Sequence, residues 1–163
     1  MHMIAKIKSE NNVLTALYER TINHSVDDVW AYLTENNKLQ QWFSELEIQE
    51  LKTDGEILFD LRDGNFERMQ ITEVVPKEIF AFTWDKNTVR FELEAGESGC
   101  LLVFKEYLHE VTEHTPKDLA GWHVCLDVIE ALLDGKSIED REALWKACYP
   151  KYQQAVTDAK ADL

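Results

Sequence analysis

The stretch from Thr115 to Leu133 constrains the fold more than any other part of this chain. Apolar residues at Leu119, Trp122, Leu126, Ile129 and Leu133 recur at a spacing that only a helix places on one face. Cys125, Val128 and Leu132 widen that face beyond a narrow seam, so the helix must press against a broad apolar surface. Thr115 suits the N-cap, Pro116 the first helical position and Asp118 the first turn, while Gly135 follows the last periodic residue. The predicted helix runs from about Pro116 to Asp134, with Gly121-Trp122 one turn inside it.

The segments before it supply the surface. Val13 to Ile22 alternates loosely and reads as a first strand. Ser25-Val26-Asp27-Asp28 offers an N-cap for a short helix whose Val26, Val29, Trp30 and Leu33 share a face. Asn36 or Asn37 suits the cap of a second short helix carrying Leu39, Trp42 and Phe43. Six strand-like stretches follow: Glu47 to Leu51, the Ile57/Phe59/Leu61 alternation, Phe66 to Val75, Glu78 to Trp84, Thr88 to Glu94 and Cys100 to Leu108. Thr53-Asp54-Gly55, Asp63-Gly64-Asn65, Pro76 and Gly96 to Gly99 punctuate them. Short loops between consecutive strands favour an antiparallel meander, with the first strand pairing elsewhere in the same sheet.

Beyond Gly135 a further helical segment, about 138–160, starts behind Ser137 and carries Leu144, Trp145, Cys148, Tyr152 and Val156. Pro150 is expected to break or kink it. The expected architecture is an α+β helix-grip: a curved antiparallel sheet around the long helix, with two short helices after the first strand. One domain over 1–163, its core at about 13–135, fits the length of 163 residues.

Charge narrows the partners. With 31 acidic against 17 basic side chains the formal charge is −14. Such a surface repels phosphate backbones and anionic lipid, so neither nucleic acid nor a membrane is expected as a partner. Cys100, Cys125 and Cys148 form no CxxC pair, and no apolar run approaches membrane-spanning length. The expected location is the cytoplasm, and the expected assembly a monomer or homodimer.

Four stretches in this order carry a resemblance to a known family. They are Ser25-Val-Asp-Asp-Val-Trp30, Leu39-Gln-Gln-Trp42, Glu73-Val-Val-Pro76 followed by Phe82-Thr-Trp84, and Gly121-Trp122. Together they make the chain similar to the START-like, or SRPBCC, superfamily, and within it to relatives of the C-terminal domain of the heat-shock protein 90 ATPase activator. The resemblance implies the helix-grip fold and a cavity between the sheet and the long helix.

The residues that periodicity turns toward that space are Phe59, Met69, Ile71, Glu73, Phe82, Trp84, Phe91, Leu102, Phe104, Glu106, Trp122 and Leu126. Aromatics at such positions fill a core or line a cavity, and both readings stand at this point. Glu73 continues the Met69, Ile71 alternation, and Glu106 continues Leu102, Phe104. A carboxyl buried there needs a partner or a proton, which makes either one a possible ligand anchor; a strand end or bulge would leave it in solvent.

No catalytic residue, cofactor or metal is expected. His123 and Asp127 have helical i, i+4 spacing, but a metal site needs three or four ligands and nothing in the sequence places the others. No GxSxG elbow or phosphate-cradling glycine loop is present. The expected function is non-enzymatic binding of a small hydrophobic or amphipathic molecule, such as a lipid, between sheet and helix. The alternative is a stress-related co-chaperone or protein-interaction module, with a chaperone as partner. A cyclase- or aromatase-like enzyme using Glu106, Glu73 and His123 is a third possibility.

Overall fold

In the computed structural model, which describes residues 2–162, the elements follow as β1 (Lys6–Glu10), β2 (Val13–Ile22), α1 (Val26–Thr34), α2 (Asn36–Trp42), β3 (Leu46–Ile48), β4 (Glu56–Asp60), β5 (Phe66–Val75), β6 (Ile79–Trp84), β7 (Asn87–Ala95), β8 (Cys100–Leu108), α3 (Thr115–Leu133) and α4 (Arg141–Ala161). The strands form one eight-stranded antiparallel sheet in the order β1-β2-β8-β7-β6-β5-β4-β3. The meander from β3 to β8 and the return of β2 against β8 give the α+β helix-grip arrangement that the sequence pattern implies.

The first hairpin was not anticipated. Glu10 pairs with Val13 across Asn11 and Asn12, which both take positive φ (52° and 67°). Two left-handed residues in a two-residue loop match the right-handed twist of the flanking strands, and asparagine tolerates that conformation.

Local chemistry fixes the helices. The Ser25 hydroxyl accepts the Asp28 N–H at 3.1 Å and starts α1, burying Val29 and Leu33. Asn36 does not cap α2. Its side-chain amide instead donates to the Ile48 carbonyl at 2.9 Å and accepts the Ile48 N–H at 2.8 Å, fastening the edge strand β3. His114, not Thr115, occupies the N-cap position of α3. Gly135 takes φ +72°, with Gly135 N–H bonded to Leu132 O and Lys136 N–H to Ala131 O. That 5→2 and 6→1 pair closes α3.

Pro150 does not break α4, which is helical from Arg141 to Ala161. Its missing N–H leaves the carbonyl of Lys146 unpaired within the helix. Both residues lie on the exposed face of the helix. The opposite face of α4 buries Cys148, Tyr152 and Val156. The result is three layers, with the sheet beneath α3 and α4 packed over it. Among the described residues no helix is long and apolar enough to cross a membrane.

Candidate functional site

The space between α3 and the sheet is filled by aromatic rings. Trp122 is 2% exposed, and its ring centroid lies 4.5 Å from Phe104, 5.0 Å from Trp84 and 5.8 Å from Phe43. Phe91 stacks obliquely on Phe104 at 4.6 Å. Ile71, Phe82, Phe91, Leu102, Phe104, Trp122 and Leu126 all belong to this packed core. Of the two readings open for them, these residues take the core and not a cavity wall. The physical reason is α2, which sends Trp42 and Phe43 beneath α3, where they pack against Phe91, Trp84 and Trp122.

The packing ends where the β6–β7 turn, the β8–α3 loop and the first turn of α3 converge. There a cleft of about 460 Å³ opens, within the range of small-molecule sites. Phe59, Met69 and Trp84 form its apolar wall, and Asn87, Thr115 and Asp118 its polar side. Phe43 backs the wall, 5.8 Å from Phe59 and 5.6 Å from Trp84 between ring centroids. Asp85, at φ +54° in the two-residue turn between β6 and β7, lies on the rim with Lys86.

Behind the polar side lies Glu106. The burial of β8 alternates without a break, and Glu106 holds an inward position between Phe104 and Leu108. Its cross-strand neighbours, Ala16 and Val89, are fully buried, and Glu106 itself is 0% exposed. Asn87 Nδ2 donates to Glu106 Oε2 at 3.4 Å, while Oε1 has no partner. Burial first, and then the charge of the adjacent Asp118, push the Glu106 carboxyl well above its usual range. Asp118 in turn accepts the Trp84 indole N–H at 2.8 Å. Asp118 lines the cleft, with the fully buried Glu106 behind it.

Glu73 is elsewhere. Ile71 pairs with Phe82 but Glu73 pairs with Ala81, so β5 carries one extra residue between them. This bulge reverses the alternation: Val74 pairs with the buried Phe80 and faces inward, while Glu73 faces outward. There it accepts a 2.6 Å bond from Arg90. Of the two places open to Glu73, the bulge selects the outer face, so it is not a cavity residue.

His123 belongs to a different polar cluster, on the far side of α3. Its Nδ1 lies 2.8 Å from the Tyr152 hydroxyl, which also accepts the Ala5 N–H at 2.9 Å. Arg20, buried on β2, donates to Asp127 at 2.5 Å, and Asp127 sits 3.7 Å from His123 Nε2. Burial and the nearby Arg20 charge lower the His123 imidazole to about 4. The cluster ties α4 and the N-terminal segment to the grip. Among the described residues no group of three or more His, Cys, Asp and Glu side chains is placed to hold a metal ion.

Of the twelve anticipated residues the cleft brings together Phe59, Met69 and Trp84, with Glu106 behind it. Sequence reasoning missed Asn87 and the Asp85-Lys86 turn, and took Asp118 only as a helix-start acid. No sequence signal pairs Trp84 with Asp118, because Asp85, Glu92, Glu94, Glu106 and Glu110 all lie nearer to it in the chain.

Residues 23–134 match the family described as activator of Hsp90 ATPase homolog 1-like protein. Among solved structures, the conserved protein of unknown function EF2215 from Enterococcus faecalis is 31% identical, with a TM-score of 0.81 over 95% of this chain and 91% of that one. CalU16 from Micromonospora echinospora is 17% identical, with a TM-score of 0.72 over 93% and 94% of the two chains. The Aha1 dimer from Colwellia psychrerythraea is 18% identical, with a TM-score of 0.61 over 71% and 92%. These last two likenesses are of fold. No functionally curated protein matches the chain.

Proposed function

The chain belongs to the family of activator of Hsp90 ATPase homolog 1-like proteins, and we propose that it binds a small amphipathic molecule in the cleft at the open end of its helix-grip. The carrying observation is the cleft itself, where the apolar wall of Phe59, Met69 and Trp84 faces the polar side at Asn87 and Asp118. The apolar body of a ligand removes the wall from water, and its polar end bonds to the Asn87 and Asp118 side chains.

The reading is non-catalytic. It is supported by the separation of the three groups that a cyclase-like reaction would draw on. Glu106 is walled off behind Asn87, Glu73 is bonded to Arg90 on the outer face, and His123 is held by Tyr152 beyond α3.

Calorimetric titration with 2-(1-naphthyl)ethanol tests the site. Saturable one-to-one binding, weakened by Phe59→Ala, is expected. Absence of saturable heat, or binding indifferent to Phe59→Ala, would overturn the reading.

A second reading, contact with a chaperone ATPase, is supported by the family and by Leu61 and Phe66, which are 44% and 54% exposed beside the β4–β5 turn. Stimulation of a cognate chaperone's ATPase, abolished by Leu61→Ser/Phe66→Ser, is its expected signature. No stimulation at excess protein would remove it.

A further inference from the structure

We propose that the cleft selects a ligand whose polar end is a cation, an ammonium group on an apolar body, over neutral or anionic molecules of the same shape. The inference rests on the binding reading above and adds the charge of the ligand.

The first ground is the imbalance of charge around the cleft. Glu67, Asp85, Glu110 and Asp118 line it, against Lys86 and His114. Ion pairs formed among the described residues lie elsewhere, and none involves these four acids. Neighbouring carboxylates without counter-ions repel one another, and a cation between them relieves that repulsion.

The second ground is the polar floor. Asn87 and Asp118 line the cleft there, and the fully buried Glu106 lies behind them, out of reach of a ligand. Asp118 accepts the Trp84 indole N–H through one oxygen, which leaves acceptor capacity on its carboxylate. An ammonium group has three donors and no acceptor, so it matches a floor that offers acceptors. A carboxylate ligand brings further acceptors and like charge, and meets repulsion instead.

The third ground is the wall. Trp84 and Phe59 present ring surfaces 5.9 Å apart between centroids at the cleft. Aromatic faces attract a cation and accept an apolar body equally well. Asp118 and Trp84 are bonded to each other, so the charged and aromatic parts of the site are held in fixed register.

A charge series on one skeleton tests this: 2-(1-naphthyl)ethylamine, 2-(1-naphthyl)ethanol and 1-naphthylacetate at neutral pH, each followed through the Trp84 indole N–H resonance. The amine is expected to bind about tenfold tighter than the alcohol, the size of one partly screened charge contact, and the acetate weaker than both. Asp118→Asn is expected to erase the advantage of the amine over the alcohol. If Asp118→Asn fails to fold, the rim pair Asp85→Asn/Glu110→Gln serves, and should weaken the amine alone. Alcohol binding equal to that of the amine, or an acetate that binds as well, overturns the charge selection and leaves the cleft reading standing. If none of the three moves the Trp84 resonance, both fall.

Discussion

The indole N–H of Trp84 on β6 donates to the Asp118 carboxylate in the first turn of α3 at 2.8 Å, joining sheet and helix at the point where the grip opens. Inside that bond the rings are close-packed, and outside it lies the cleft. The structural core and the binding surface therefore meet at one residue pair. Substitutions on either side of it should separate stability from binding.

Trp122 lies on the core side. Replacing it with Ala removes a ring packed against Phe104, Trp84 and Phe43, and should cost about 3–5 kcal/mol. Against the 5–15 kcal/mol typical of a domain, that is about a fifth of the folding margin at least. A urea denaturation midpoint reads the loss directly. A midpoint equal to wild type would mean that the ring is not in the core.

Gly121 beside it should behave in the opposite way. A Cβ built there meets no heavy atom within 4 Å, and the residue sits inside α3 with ordinary helical φ. Gly121→Ala should then stabilise by about 1 kcal/mol, through helix propensity and a less flexible unfolded chain. A destabilised variant would show that another group approaches α3 at this point.

Much of this arrangement is legible in the sequence, and the exceptions have physical causes. Strand periodicity located β5 and β8 to the residue, because turn residues bound both. The same periodicity misplaced Glu73, since a bulge adds one residue without any Gly or Pro to announce it. Glu106 obeyed the alternation: its side chain is fully buried and keeps one hydrogen bond, from Asn87. The Asn11-Asn12 hairpin was readable from turn chemistry, yet β1 itself offered only Ile7 as an apolar signal. Trp42 and Phe43 were placed on a short helix, but sequence could not show that they fill the space under α3.

Stability should have both an acid and an alkaline limb. Folding raises the Glu106 pKa, so the folded state binds the extra proton. That contribution is complete below the unfolded carboxyl pKa and is lost as pH rises through the raised value. Folding lowers His123 from 6.5 to about 4, so its contribution is complete above 6.5 and is lost as pH falls toward 4. The acid limb is worth up to about 3 kcal/mol. Glu106→Gln keeps the shape without the titration and should flatten the alkaline limb, with the acid limb unchanged. Urea midpoints across the pH range check this, and an unaltered alkaline limb in the variant would refute the assignment to Glu106.

Helix α4 lies outside the region matched by the family, yet Tyr152 is 0% exposed and bonded to both Ala5 and His123. Removing residues 136–163 uncovers the outer face of α3 and strips His123 of its partner. The shortened chain should lose cooperative thermal unfolding. Melting within about 2 °C of the full chain would show that α4 is dispensable.

The most direct test of the central claim, that ligand occupies the open cleft and not the space under α3, is the set of intermolecular NOEs to bound 2-(1-naphthyl)ethanol. The naphthyl protons should contact the Met69 methyl and the Phe59 and Trp84 rings, with no contact to the Leu102 or Leu126 methyls. Contacts to Leu102 and Leu126 without Met69, or no contacts in a saturated sample, would contradict it.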